Sequence, residues 1–257
     1  MVDPTPPNPY RTAAFGPADH GMMIPAGHVG LVLGVLLLLT PISILVQGLI
    51  RSVWVPDVPS HATITTEVLL SLALIAALFL VGQSGRYSWE RFGFWVPVRT
   101  DFLFVGGVLG VSIFIQPLFM FGYDPANSTD LRDTFFAAFH PRGALVFELL
   151  VFAALVILAP LLEEMIFRGL FFGWARQRLR FVDAAIFSSL VFAAFHAPYV
   201  DALGWHWGLR ALAMIFTLGM LSALLFERTG SLIAPTLLHG LFNLQATIPL
   251  MLDIPPA

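Results

Sequence analysis

The sequence predicts an all-α protein, a polytopic bundle of transmembrane helices with seven or eight spans. Hydrophobic residues make up 58% of the chain and charged residues only 11%, and the mean hydropathy is +0.84. Soluble domains carry about 25% charged residues. Several apolar stretches also approach the roughly 20 residues that a helix needs to cross a bilayer core. We therefore expect the lipid bilayer to surround most of the chain.

The first part of the chain is expected to hold three spans after a disordered tail rich in proline and glycine. In order, the predicted segments are the tail 1–27, the spans 28–50, 67–81 and 101–123, and an interfacial helix within 124–143. The N-terminal transmembrane region is thus residues 28–143. We expect no separate soluble domain and find no internal repeat.

Residues 144–250 are expected to form a second transmembrane region, followed by a short tail at 251–257. Pro160 should interrupt its first span, 144–162, because proline removes one helical hydrogen bond and frees the carbonyl of Val156. A separate helix at about 161–179 would follow. The remaining predicted spans are 183–197, 207–226 and 231–250. The total is seven spans, or eight if the helix at 161–179 also crosses.

Arginine counts in the loops predict the orientation, because cytoplasmic loops are richer in basic residues. All 13 basic residues are arginine. The side that holds Arg86–Arg99, Arg176–Arg180 and Arg228 is the richer one, so we expect it to be cytoplasmic. We expect a bacterial plasma (inner) membrane protein. His206, between Trp205 and Trp207, fits an aromatic belt at a membrane interface.

Three charged residues stand in an otherwise apolar stretch: Glu163, Glu164 and Arg168. A charge at the centre of a membrane helix costs about 2.5–3.5 kcal/mol even on mild scales, so these groups imply partners, water or function. Glu164 and Arg168 are four apart and share a helix face, whereas Glu163 lies about 100° round. Arg168 can therefore pair with Glu164 and leave Glu163 available as a general base that activates water. The alternative is an interfacial charge cluster.

Two later segments supply polar partners. His196 ends an apolar stretch, and His239 and Asn243 lie four apart on one face of the last span. Each of these could simply make a polar contact between helices. Together with the carboxylate pair of the preceding helix, these residues make three polar groups on three separate spans. Such a set favours convergence on one water-filled cavity over three unrelated contacts. There Glu163 would deprotonate water, His196 would orient it or move a proton, and His239 with Asn243 would donate to an oxyanion.

The ordered set Glu163-Glu164-x-x-x-Arg168, Phe192-x-x-x-His196 and His239-x-x-x-Asn243 resembles the three motifs of the CAAX prenyl endopeptidase and bacteriocin-processing family of intramembrane proteases. The resemblance covers about residues 144–250. It implies Glu163 as the base, His196 as its catalytic partner, and His239 with Asn243 as the oxyanion site. Glu164 and Arg168 match supporting positions. The implied substrate is a membrane-associated peptide or protein, and no nucleic-acid partner is expected.

Family members are described both as glutamate proteases and as metalloproteases. Glu163, His196 and His239 are acceptable zinc ligands, and zinc would also activate water. The chain has no cysteine and no His-Glu-x-x-His helix, and asparagine is an uncommon zinc ligand. We therefore expect metal-free chemistry without a cofactor and keep zinc as the alternative.

Two other functions compete with the protease. The first is a non-catalytic membrane scaffold, or a bacteriocin-immunity or secretion accessory protein, of the same fold. The second is a small transporter in which the intramembrane charges relay protons. The intact set of base and oxyanion donors favours the enzyme over the scaffold, and the absence of repeated halves argues against the transporter.

Overall fold

The computed structural model describes residues 26–53, 59–83, 93, 101–123 and 145–251. Every regular element within these ranges is helical. The first four helices are α1 (Ala26–Val53), α2 (Pro59–Gln83), α3 (Phe102–Ser112) and α4 (Ile115–Phe119). The predicted interfacial helix at 124–143 lies outside the described residues, as do residues 1–25 and 252–257 of the predicted tails.

Residues 145–176 form one uninterrupted helical segment in which α-helix alternates with wider π-helix. Its parts are α5 (Leu145–Phe152), a first π segment (Ala153–Leu158), α6 (Ala159–Glu164), a second π segment (Met165–Phe172) and α7 (Gly173–Arg176). Three further helices complete the described chain: α8 (Phe181–Phe195), α9 (Pro198–Thr229) and α10 (Ile233–Met251).

The prediction of two helices separated at Pro160 was wrong. Pro160 lies at the start of α6, and the chain stays helical on both sides of it. Proline is tolerated in the first turn of an α-helix, where its missing N–H would have no partner. The preceding π segment changes the hydrogen-bond spacing from i→i+4 to i→i+5, which lets the ladder pass the proline without ending the helix.

Within the described ranges, three helical segments are long and apolar enough to cross a membrane. They are Phe102–Phe119, Leu149–Arg176 and Leu203–Thr229, and shorter apolar helices lie at Val68–Leu78 and Phe181–Phe195. The expectation of an all-helical membrane protein is therefore confirmed, while the number of seven or eight spans stays a prediction. α9 also departs from the predicted span because it begins at Pro198 and bends at Gly204, whose φ of 76° is not helical.

Small side chains bring the last helices close together. Ala184 and Ala185 of α8, Ala223 of α9 and Ala234 of α10 are fully buried. Small residues are typical of helix contacts in membranes because they let two backbones approach. Large aromatic rings fill the space around these contacts, as where Phe172 meets Phe226 with ring centroids 6.1 Å apart. The second π segment is thereby fixed against α9.

One end of the bundle carries an arginine rim, which we define as Arg176, Arg178, Arg180 and Arg228. Arg176 pairs with Glu227 at 3.1 Å, and Arg228 lies 3.8 Å from Asp101 at the start of α3. The end of α9 is closed by Gly230 in the left-handed conformation, with its N–H bonded to the carbonyl of Phe226 at 2.7 Å. The rim therefore joins the ends of three helical segments.

Candidate active site

Glu164 is a fully buried carboxylate at the end of α6. Its Oε1 accepts hydrogen bonds from Arg168 Nη1 at 3.0 Å, from His239 Nδ1 at 3.0 Å and from Ser222 Oγ at 3.4 Å. These donors come from the second π segment, α10 and α9. A carboxylate buried without partners would cost several kcal/mol, so three donors on one oxygen are what allow Glu164 to stay buried.

Arg168 is the cation that balances Glu164, and its side chain is also fully buried. Its Nη2 donates to the backbone carbonyl of Gly219 at 3.1 Å, and its guanidinium lies 4.8 Å from the centre of the Phe192 ring. The absence of a side chain at Gly219 lets α9 approach α8 closely, since a Cβ at this position would lie 2.9 Å from the Cβ of Ser189. A larger residue would therefore displace the carbonyl that Arg168 binds. The predicted Glu164–Arg168 pair is confirmed, and it also ties α8 and α9 to the site.

His239 lies between the two carboxylates. Its Nδ1 bonds to Glu164, and its Nε2 lies 3.6 Å from Glu163 Oε2. An ionised carboxylate only accepts hydrogen bonds, so Nδ1 carries the proton of the neutral ring and Nε2 presents a lone pair. Two acceptors then face each other across 3.6 Å. One proton, on either Glu163 or His239, makes this contact favourable.

Glu163 has a different environment from its neighbour. Its side chain is 28% exposed, while that of Glu164 is fully buried. Its Oε2 has no hydrogen-bond partner, because 3.6 Å to His239 is too long for a hydrogen bond. The side chain of Glu163 is thus partly exposed, while its Oε2 is buried beside His239 and is not held by a donor, which leaves this oxygen free to take up a proton.

His196 joins the same site through Phe192. Its Nδ1 lies 2.9 Å from the backbone carbonyl of Phe192, one turn earlier. A carbonyl only accepts, so the proton is on Nδ1 and Nε2 is the acceptor nitrogen of the neutral ring. The Phe192 ring has its centroid 4.8 Å from that of His196 and 5.6 Å from that of His239. The phenyl ring therefore sets the positions of both imidazoles.

Asn243 lies one turn after His239 on α10, but its amide has a different partner. Asn243 Nδ2 donates to the backbone carbonyl of Leu155 in the first π segment at 2.8 Å. Gly240 contacts the same segment, since a Cβ at this position would lie 2.6 Å from the carbonyl oxygen of Val156. That is the carbonyl expected to be freed by Pro160. Gly240 and Asn243 thus hold α10 against the first π segment, and the oxyanion role of Asn243 stays a prediction.

Among the residues that the structure describes, no three His, Asp or Glu side chains are grouped closely enough to hold a metal ion. His239 approaches both carboxylates, but His196 contributes to the site through Phe192. The expected alternative ligand set Glu163, His196 and His239 is therefore not assembled for zinc in this arrangement.

Residues 145–245 match the family described as type II CAAX prenyl endopeptidase Rce1-like. The resemblance is confirmed. The matched residues include both carboxylates, Arg168, both histidines and Asn243, so the segment with the buried charge network is the segment that carries the family likeness. The match to a membrane-protease family and the apolar helices support an integral membrane protein.

Two curated relatives match part of the chain. One, from Escherichia coli, is named "Uncharacterized 24.3 kDa protein" and is 34% identical over 93 residues, 35% of this chain and 40% of its own length. The other, from Bacillus subtilis (strain 168), is named "Putative membrane peptidase YdiL" and is 31% identical over 87 residues, 34% of this chain and 32% of its own length. The chain therefore spans less than half the length of either relative in these matches. No solved structure matches the chain.

Sequence reasoning assigned no role to three residues that shape the site. Phe192 contacts both histidines and Arg168, Ser222 donates to Glu164, and the carbonyl of Gly219 accepts from Arg168. Spacing contained part of this information, because Phe192 lies four residues before His196. Gly219 and Ser222 are three apart in an apolar helix, a pattern that predicts a close and polar helix contact.

Proposed function

We propose that the protein is an intramembrane endopeptidase that hydrolyses peptide bonds of membrane-associated peptides or proteins, with water activated by Glu163. The observation that carries the proposal is the different state of two adjacent carboxylates. Glu164 is buried and bound by three donors, whereas Glu163 is accessible and lies beside an imidazole. The match of residues 145–245 to an endopeptidase family supports the same chemistry.

In the proposed reaction, Glu163 removes a proton from water and the resulting hydroxide attacks the carbonyl carbon of the scissile bond. The carbonyl oxygen becomes an oxyanion, the C–N bond then breaks as the carbonyl re-forms, and the leaving amine takes up the proton that Glu163 removed from water, which restores the carboxylate. Base catalysis of this kind contributes about 10²–10⁴-fold in rate. His196 can orient the water through Nε2, since its Nδ1–H is committed to the carbonyl of Phe192.

His239 is the proposed donor to the oxyanion. It lies against Glu163 on one side and is oriented by the buried Glu164 on the other. When its Nε2 carries a proton, that N–H can donate to a developing negative charge. The expected pairing of His239 with Asn243 at the oxyanion requires the Asn243 amide to turn from the carbonyl of Leu155, which it contacts at 2.8 Å.

We further propose that the chain lies in the plasma membrane of a bacterium with the arginine rim in the cytoplasm. Three of the four rim arginines follow one another closely at the end of α7 and before α8, and the fourth ends α9. Basic residues at helix ends are retained on the cytoplasmic side. The site would then be reached from that side of the bilayer.

The test compares the purified protein with Glu163→Gln in liposomes, using a library of quenched fluorescent peptides. Glutamine keeps the size of the side chain and removes the base, so cleavage should fall at least about 100-fold. Glu227→Gln is the matched control, because it removes a carboxylate from the arginine rim and should leave cleavage within about twofold. Circular dichroism and size-exclusion chromatography establish that all three proteins are folded.

A chelator arm separates two classes of hydrolysis. Cleavage that survives chelation supports glutamate catalysis, while loss on chelation with recovery on added zinc identifies a metalloprotease. Equal cleavage by the parent and Glu163→Gln would overturn the proposed base. If neither protein cleaves any peptide and a Glu163→Gln strain keeps its normal phenotype, the non-catalytic scaffold or accessory function takes the place of the enzyme.

A further inference from the structure

A cavity lies away from the candidate active site, between α4 and the first half of α9. Its volume is about 530 Å³, within the range of ordinary small-ligand sites. It is lined by Leu118, Phe119, Trp205, His206, Leu209, Arg210 and Ala213. None of these residues contributes to the charge network around Glu164. The cavity therefore needs an explanation of its own.

The chemistry of the lining is divided into two parts. Leu118, Phe119, Leu209 and Ala213 form an apolar wall. His206 and Arg210 supply polar donors, and the lining residues that the structure describes include no carboxylate. An apolar wall beside a basic group suits an amphiphile with an anionic head.

Arg210 is held in place with donors to spare. Its Nη1 donates to the backbone carbonyl of Phe121 at 3.2 Å, and its guanidinium lies 4.6 Å from the centre of the Trp207 ring. A guanidinium has five N–H groups in a planar fork, and that hydrogen bond uses one of them. The fork geometry matches phosphate oxygens, which is why arginine is common in phosphate sites.

The position of the cavity along α9 places it at a membrane interface. Arg210 precedes Arg228 of the arginine rim by 18 residues, about 27 Å along a helix at 1.5 Å per residue. The hydrocarbon core of a bilayer is about 30 Å thick. Tyr123 and Trp207 meet with centroids 5.1 Å apart at this level, as expected for an aromatic belt. The cavity is therefore at headgroup depth on the side opposite the rim.

The surroundings of the cavity face lipid. Leu118 is 71% exposed, Trp205 is 72% exposed and Phe121 is 81% exposed. In a helix bundle these side chains meet acyl chains, so a molecule entering the cavity comes from the bilayer. We propose that this cavity binds one anionic phospholipid, with its phosphate on Arg210 and His206 and part of an acyl chain along Leu118, Leu209 and Ala213.

Native mass spectrometry of the full chain in detergent tests the proposal. The protein is titrated with phosphatidylglycerol, with phosphatidylcholine of the same acyl chains and, as a headgroup alone, with glycerol 1-phosphate. Both lipids carry a phosphate, but the trimethylammonium of phosphatidylcholine cancels its net charge and would lie near Arg210, so the first phosphatidylglycerol molecule should bind about tenfold more tightly. Glycerol 1-phosphate should not bind measurably at the same concentrations.

Two substitutions address the two halves of the site. Arg210→Gln should remove the preference for phosphatidylglycerol, because it weakens the binding of phosphatidylglycerol more than that of the zwitterionic phosphatidylcholine. Ala213→Phe fills the apolar wall while keeping Arg210, and should weaken both lipids together. Arg178→Gln is the matched control, because Arg178 likewise stacks on a tryptophan, Trp174, at 4.7 Å and donates to its carbonyl at 2.8 Å. It should keep the parent preference.

Three outcomes would overturn the proposal. Equal loss of preference in Arg210→Gln and Arg178→Gln would show attraction by surface charge in general. Binding of glycerol 1-phosphate as tight as that of the lipid would show a site for a soluble phosphate. Unchanged binding of both lipids in Ala213→Phe would place the lipid elsewhere. Because Ala213→Phe retains the arginine contacts, it decides the matter even if Arg210→Gln fails to fold.

Discussion

The protein holds charge pairs in two places, around Glu164 and at the arginine rim, and they differ in burial. The Glu164–Arg168 pair is fully buried, whereas Arg176 and Glu227 are 29% and 13% exposed. The buried pair contacts two further helices, α10 through His239 and α9 through Ser222 and Gly219. The rim pair joins two helix ends that solvent also reaches.

This difference separates two uses of charge in a membrane protein. At the rim, water and headgroups solvate a charge that loses its partner, so a pair there contributes little to stability. In the site, a charge that loses its partner stays buried. Removal of either Glu164 or Arg168 alone should therefore destabilise the packing of the helices around the site. Four substitutions, ordered from the largest expected effect to the smallest, test this difference between the buried site and the rim.

Arg168→Met should have the largest effect on stability. It removes the cation and leaves the Glu164 carboxylate buried, which costs about 3–5 kcal/mol. Thermal unfolding in detergent measures the loss. The double variant Glu164→Gln, Arg168→Met removes both charges and should recover part of it. A single variant as stable as the parent would contradict the view that this pair holds the site together.

Asn243→Asp should lower both stability and cleavage. Aspartate has the same shape but no N–H to donate, so a carboxylate would face the carbonyl of Leu155 and cost about 1–3 kcal/mol. Gln116→Glu is the matched control, because Gln116 Nε2 donates to the carbonyl of Phe242 on the same helix at 3.1 Å. Both variants should unfold earlier, but only Asn243→Asp should lose cleavage. Unchanged stability in Asn243→Asp would show that its contact with Leu155 carries no weight.

Gly219→Ala should cost about 1–3 kcal/mol, because the new methyl group would overlap Ser189 and move the carbonyl that accepts from Arg168. Gly106→Ala is the control, since nothing lies within 4 Å of a Cβ there. That change should be neutral or stabilising by up to about 1 kcal/mol, because alanine favours helix. Chemical or thermal unfolding of both variants gives the comparison, and equal effects would contradict it.

Arg176→Gln should have the smallest effect. It removes the hydrogen bonds to Glu227, but both side chains are partly exposed, so the loss should stay below about 1 kcal/mol. Unfolding temperature and peptide cleavage are measured together, and both should stay near those of the parent. A loss as large as that of Arg168→Met would erase the distinction between rim and site.

Helix class and the principal charge pair could be read from the sequence. Apolar composition predicts membrane helices, and the i,i+4 spacing of Glu164 and Arg168 predicts their contact, which the structure confirms at 3.0 Å. The reason is that both features are local, since side-chain direction repeats along a helix. Contacts between residues of one helix could therefore be predicted without knowing how the neighbouring helices pack.

Contacts between helices could not be derived in the same way. Spacing put His239 and Asn243 on one face of α10, but it could not say that His239 meets Glu164 while Asn243 meets Leu155. These partners depend on the angle and depth at which α10 crosses the segment 145–176. The prediction that Pro160 ends a helix was wrong for a related reason. The sequence shows that one backbone hydrogen bond is missing there, but it does not show that the helix continues through a π segment.

The first π segment has a consequence for how this sequence can change. A stretch with i→i+5 bonding winds more residues into each turn than an α-helix does, so it acts as an extra residue absorbed without a loop. Removing one residue from Ala153–Leu158 with a return to α winding would keep Glu163 and Glu164 facing His239, because about five α residues turn as far as six π residues. Removing one residue from the α stretch Leu145–Phe152 has no such compensation, and would turn the residues before and after the deletion by about 100° relative to each other. We therefore expect this apolar stretch to tolerate a change of length within the π segment better than beside it.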